Sequence, residues 1–164
     1  MKRLGIGTAV LAGAATMAII GDGTASAFPA PVAPTADYMI CGMAYSGGGS
    51  GAVVDGKSTP APAGAVAASG KVIVASLWTV FNTQVDLDPA NVSPDGKSVL
   101  ITTNSSGDWC YTGSSTLATT VTTGGTVRLQ SAGGTTTHPS INALDFLDHK
   151  DATFNSATGF NFKY

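Results

Sequence analysis

Glutamate is missing from this 164-residue chain: all ten acidic residues are aspartates. Charged residues make up only 11% of it, less than half of the roughly 25% usual for globular proteins. The long, charged helix formers that normally fill solvent-facing helix positions are therefore scarce. Their places are taken by Thr, Ser, Asn and Gly, which suit strands and turns. Basic residues are sparse as well, and eight Lys and Arg leave a net charge of −2. That excludes an electrostatic nucleic-acid binder, which needs a basic face to neutralise phosphates. No polybasic cluster directs the chain to anionic lipid, and no long internal repeat announces a solenoid or propeller.

Cysteine and histidine are limited to two each. Cys41 and Cys110 lie far from His138 and His149 in sequence, without the spacing of a zinc site, and no cofactor is expected. In an oxidising compartment an even cysteine count predicts pairing, and two cysteines allow one intramolecular connectivity. A Cys41–Cys110 bridge would close a loop of 69 positions, worth roughly 4 kcal/mol in the chain-entropy account.

The first residues supply the reason to expect that compartment. Lys2 and Arg3 precede an uncharged Ala/Gly/Ile/Leu/Val-rich run over residues 4–20, and Ala25-Ser26-Ala27 has the small-x-small form of a cleavage site. Residues 1–27 thus read as a cleavable secretory signal peptide of bacterial style, with the mature chain starting at Phe28. As a membrane anchor the run is at the short limit, diluted by Gly and Ala, and ended by Gly21-Asp22-Gly23. The first cysteine, Cys41, lies too far downstream for a lipoprotein. The expected location is extracellular or in the cell envelope, with no transmembrane anchor left after cleavage.

Residues 28–36 form a Pro/Ala-rich leader, and residues 37–164 are expected to be a single β-rich domain. Strands are predicted over residues 38–45, 97–103 and 109–111, with a short one at Val53-Val54. The most apolar stretch, residues 71–87, reads as a central strand buried on both faces, with Trp78 in the core. Asp88-Pro89-Ala90-Asn91 and Ser93-Pro94-Asp95-Gly96 read as turns. Residues 117–123 and 126–130 alternate around Gly124-Gly125, the pattern of a β-hairpin. One short helix is predicted near residues 140–148, N-capped by Ser140, with Ile141, Leu144 and Leu147 at helical spacing. Phe160, Phe162 and Tyr164 alternate as a closing strand.

The functional leads are few. His138 precedes Pro139 in a Gly/Thr-rich stretch, and His149 sits among Asp145, Asp148, Lys150 and Asp151; both read as solvated surface residues. No Ser lies in a nucleophile-elbow motif. Asp86, Asp88, Asn91 and Asp95 offer oxygen ligands to calcium, although turn chemistry explains them equally. Trp109 and Tyr111 flank Cys110 and so point opposite to it. With the disulfide between two sheets they would face outward as a ligand-binding surface.

The resulting expectation is an all-β, antiparallel two-sheet sandwich, immunoglobulin-like or jelly-roll-like. Its expected role is a non-enzymatic binding or structural module acting on a cell-wall or glycan surface. One alternative is a small secreted hydrolase using His138 or His149 with an Asp partner. A further alternative is a self-assembling envelope or pore subunit.

Overall fold

A computed structural model describes residues 31–87 and 93–164. The signal-peptide reading, the start of the leader and the Asp88–Asn91 turn lie outside the described residues. The elements are β1 (Met39–Gly47), β2 (Ala65–Ala67), β3 (Val72–Trp78), β4 (Ser98–Thr102), β5 (Asp108–Thr112), α1 (Ser115–Thr122), β6 (Thr126–Ser131), β7 (Ser140–Ile141), α2 (Ala143–Asp148) and β8 (Phe162–Lys163). They build two four-stranded sheets and two short helices. In the first sheet β1 pairs antiparallel with β5 and β2, and parallel with β8. The second is antiparallel throughout, in the order β4-β3-β6-β7. Among the described residues no helix is long and apolar enough to cross a membrane.

Both sheets contribute to one core, which joins Ile40 and Tyr111 of the first to Ile73, Leu77 and Leu129 of the second. A smaller cluster of Met43, Tyr45 and Ala61 lies apart from it. β3 is central in its sheet, but only one of its faces is buried: Ile73, Ala75 and Leu77 are inside, while Val72, Val74, Ser76 and Trp78 are not. The apolar run therefore overstated burial. The strand also stops at Trp78, because residues 79–83 turn back with Asn82 in the left-handed region (φ 58°). Val80 and Phe81 are left in solvent at the tip, Phe81 86% exposed.

Residues 117–123, expected as one arm of a hairpin, belong instead largely to α1. Ser114 caps it by accepting from Thr116 N, and Leu117 and Val121, one turn apart, are buried. The threonines that suggested a strand return their hydroxyls to the helix: Thr122 Oγ1 donates to Ala118 O and Thr123 Oγ1 to Thr119 O, both at 2.8 Å. Gly125 allows the turn into β6, since a Cβ there would lie 2.4 Å from Trp78 O.

The helix near residues 140–148 is present as α2, with a different cap and face. Ser140 and Ile141 are strand, paired with β6. Asn142 is the N-cap and forms a capping box with Asp145. Phe146 is its buried residue, whereas Leu144 and Leu147 are exposed. Val53-Val54 is not a strand; the polar groups of Val54 bond to the side chains of Tyr45 and Asn161 instead.

Cys41 and Cys110 form the disulfide, as directly opposed partners of β1 and β5 with Cα atoms 4.1 Å apart. The bridge thus ties neighbours within one sheet rather than two sheets together. Side-chain alternation along β5 holds, but its sense is reversed: Trp109 and Tyr111, each 2% exposed, face the core.

Candidate functional site

The reversal removes Trp109 and Tyr111 as a ligand-binding surface. Burial pushes the Tyr111 phenol up to about 12. Trp109 lies edge-on to Phe162 at 6.0 Å, and its Nε1 is a buried donor without a partner among the described residues. Gly42 opposite has no room for a side chain, because a Cβ would fall 2.0 Å from Phe160 O and 3.0 Å from that nitrogen.

The histidines are not in solvent either. His138 and His149 meet edge to face, with ring centroids 5.0 Å apart. His149, 9% exposed, stacks on Phe160 at 4.3 Å. Its Nδ1 lies 2.9 Å from Thr158 O; a carbonyl only accepts, so that nitrogen carries the proton. His138 Nδ1 lies 3.1 Å from Asp55 Oδ2 and 3.0 Å from Thr137 Oγ1, and its Nε2 lies 3.9 Å from Asp145 Oδ1. Asp55 Oδ1 accepts from Asn161 N at 2.8 Å. Asn161 in turn accepts from Met43 N at 2.9 Å and donates to Val54 O at 2.7 Å. Burial raises the Asp55 carboxyl above its ordinary value, against the opposing pull of the Asn161 amide and of His138.

This network joins β1, the loop before β2, the segment before β7, α2 and the stretch leading into β8. In sequence Asp55 is 83 positions from His138, and its Gly-flanked loop gave no sign of the pairing. The Asp expected beside His149 serve otherwise. Asp145 caps α2, Asp148 is exposed, and Asp151 accepts from Phe154 N and Thr153 N, which lower its carboxyl. The arrangement can relay a proton between Asp55 and His138, but the one hydroxyl on His138, that of Thr137, shares Nδ1 with Asp55.

Two concavities are lined by other residues. An apolar groove of about 130 Å³ runs between α1 and α2, lined by Leu117, Val121, Ala143, Phe146 and Leu147 with Asn155. A smaller one of about 90 Å³ lies beside Leu87, Tyr111 and Ser114. Neither includes His138 or His149.

Of the calcium candidates, Asp88 and Asn91 lie outside the described residues. Asp86 faces Lys97 Nζ at 4.0 Å. Asp95 accepts from Ser93 and from Lys97 N within the turn, which lowers its carboxyl. Among the described residues no three His, Cys or Asp side chains are grouped to hold a metal ion.

The remaining candidate is the outer face of the second sheet. Register places Val72, Val74, Ser76 and Trp78 of β3 beside Thr102, Leu100 and Ser98 of β4, and beside Gln130, Arg128 and Thr126 of β6. None of these side chains is buried. The Arg128 guanidinium lies 4.0 Å over the Trp78 ring and also donates to Asn82 Oδ1. Trp78 Nε1 donates to Ser76 Oγ at 2.9 Å.

The chain matches no known protein family, no curated protein and no solved structure.

Proposed function

We propose that this chain is an exported, non-enzymatic binding module of the cell exterior or envelope, working through the outer face of its second sheet. The observation that carries this reading is the set of side chains left unburied there: Val72, Leu100 and Trp78, with Val80 and Phe81 at the adjoining tip. Exposed apolar side chains gathered on one face, together with Trp and Arg, are what recognition surfaces display. Export is supported by the pattern of residues 1–27 and by a disulfide that needs an oxidising compartment. The shared core supports stacking of the two sheets as a sandwich.

The test is retention of the purified mature protein on isolated cell walls and on a glycan array. The variants are Leu100→Ser with Phe81→Ser on the face, and His138→Gln in the polar network. Loss of retention in the first and its persistence in the second support the module. Retention indifferent to the face overturns it.

One contact favours a second reading, hydrolysis: the 3.1 Å approach of Asp55 to His138, an orienter-and-base arrangement. Cleavage of a nitrophenyl ester panel by the wild type, lost in His138→Gln, would establish it.

A further inference from the structure

Among the described residues the strands of the second sheet place no carboxylate on its outer face, although the chain as a whole is acidic, with ten Asp and a net charge of −2. Among the described strand residues of that face the one charged side chain is Arg128. Among the described residues Arg128 makes no ion pair; the nearby pair, Lys97 with Asp86, lies in the turns beyond β3 and before β4. The guanidinium is nevertheless held in place, by Trp78 beneath it and by Asn82 Oδ1 at its side. Asn82 is itself fixed in a left-handed conformation (φ 58°), in a turn closed by Asn82 N to Thr79 O at 3.0 Å. An arginine restrained in this way has lost much of its side-chain entropy already, and its remaining donors form a planar fork suited to a carboxylate.

Hydroxyl and amide groups flank it on the same face: Ser76, Ser98, Thr126, Gln130 and, opposite Arg128, Ser140. Val74 and Leu100 provide the apolar ground between them. Four strands about 4.8 Å apart, and no longer than the seven residues of β3 at about 3.3 Å each, span at most about 440 Å². A standard protein interface takes about 800 Å² from each partner, so the face is too small to hold a second copy. It suits an extended chain that alternates hydroxyl edges with apolar ring faces and carries negative charge.

Building on the reading of this face as the working surface, we infer that its ligand is a uronate-bearing polysaccharide, with Arg128 as the carboxylate receptor. Isothermal titration calorimetry tests this on the mature chain at low salt, with a galacturonate octamer, neutral maltooctaose and inorganic polyphosphate as probes. The expected result is submillimolar binding of the galacturonate octamer, at least tenfold weaker binding of maltooctaose, and binding that weakens with added salt. Arg128→Gln should lose at least tenfold for the uronate, and Arg128→Lys less, with both variants melting as the wild type does. Equal binding of both sugars, lost in Leu100→Ser/Phe81→Ser but not in Arg128→Gln, overturns the uronate inference and leaves the binding face standing. Polyphosphate bound as well as the uronate overturns it in favour of unselective anion attraction. Absence of uronate binding overturns it outright.

Discussion

The two sheets treat their polar groups in opposite ways. Around the first, Asp55, His138, His149 and Asn161 bond to one another and to backbone on several elements. On the outer face of the second, the one cation has no anionic partner among the described residues, and apolar side chains stand in solvent. A satisfied polar network specifies and rigidifies a fold. A cation held only by a ring and an amide oxygen, beside apolar side chains in solvent, adds little to the fold. Substitutions near the first sheet should therefore act on folding, and those on the second on binding.

The largest expected effect lies in the first sheet. Replacing Cys41 and Cys110 by alanine releases the 69-residue loop and should cost roughly 4 kcal/mol. A thermal melt should fall by roughly 10–20 °C; an unchanged midpoint would show that the bridge adds nothing. Next comes Asn161→Ala, which strands Met43 N and Val54 O and should cost about 2–4 kcal/mol by urea unfolding. Leu100→Ser and Gln130→Ala, on the open face, should stay within about 0.5 kcal/mol. A large loss there would erase the contrast between the sheets.

A pH series sharpens the comparison. Because the Asp55 carboxyl is raised in the fold, the native state holds that proton more tightly than the unfolded chain. Its contribution is thus fullest in acid and declines as pH rises from the ordinary value of 3.8 through the raised one. Asp55→Asn should remove that decline, read as the difference between the two proteins' stability curves. Smallest is a spectroscopic effect: in a titration at 295 nm, Tyr111 should ionise only near 12, held back by burial, and Tyr164 also late for the same reason. Tyr111 titrating at 10 would place its ring in water.

Much of the architecture was legible along the chain. β1, β4, β5 and β6 fall where β-branched and aromatic residues gather between turns, and the cysteine count foretold the bridge. α1 was hidden because Thr119, Thr120, Thr122 and Thr123 satisfy a β pattern; only burial of Leu117 and Val121, together with hydroxyl-to-carbonyl bonds, settles those residues as helix. The orientation of Trp109 and Tyr111 was fixed relative to Cys110 by alternation alone. Which side faced the core depended on whether the bridge joined neighbouring strands or separate sheets. The meeting of His138 with His149 and Asp55 is a product of tertiary folding, with no local pattern to announce it. By contrast, the exposed face of β3 was within reach: Val72, Val74 and Trp78 alternate with Ile73, Ala75 and Leu77, and one of the two sets had to be outside.

The parallel pairing of β1 with residues 157–163 sets an order of events during synthesis. β1 emerges early, and β5 can pair with it as soon as it has been made, so that edge is covered while the chain is still growing. The amides of Cys41 and Met43 find their partners only in Ala157 O and the Asn161 side chain, the latter 118 residues downstream. Until then one edge of β1 stays an open row of donors and acceptors, able to pair with any passing strand. Contacts this distant in sequence also slow folding. The span between the making of β5 and the arrival of Ala157 is therefore the window in which this chain most needs protection from its neighbours.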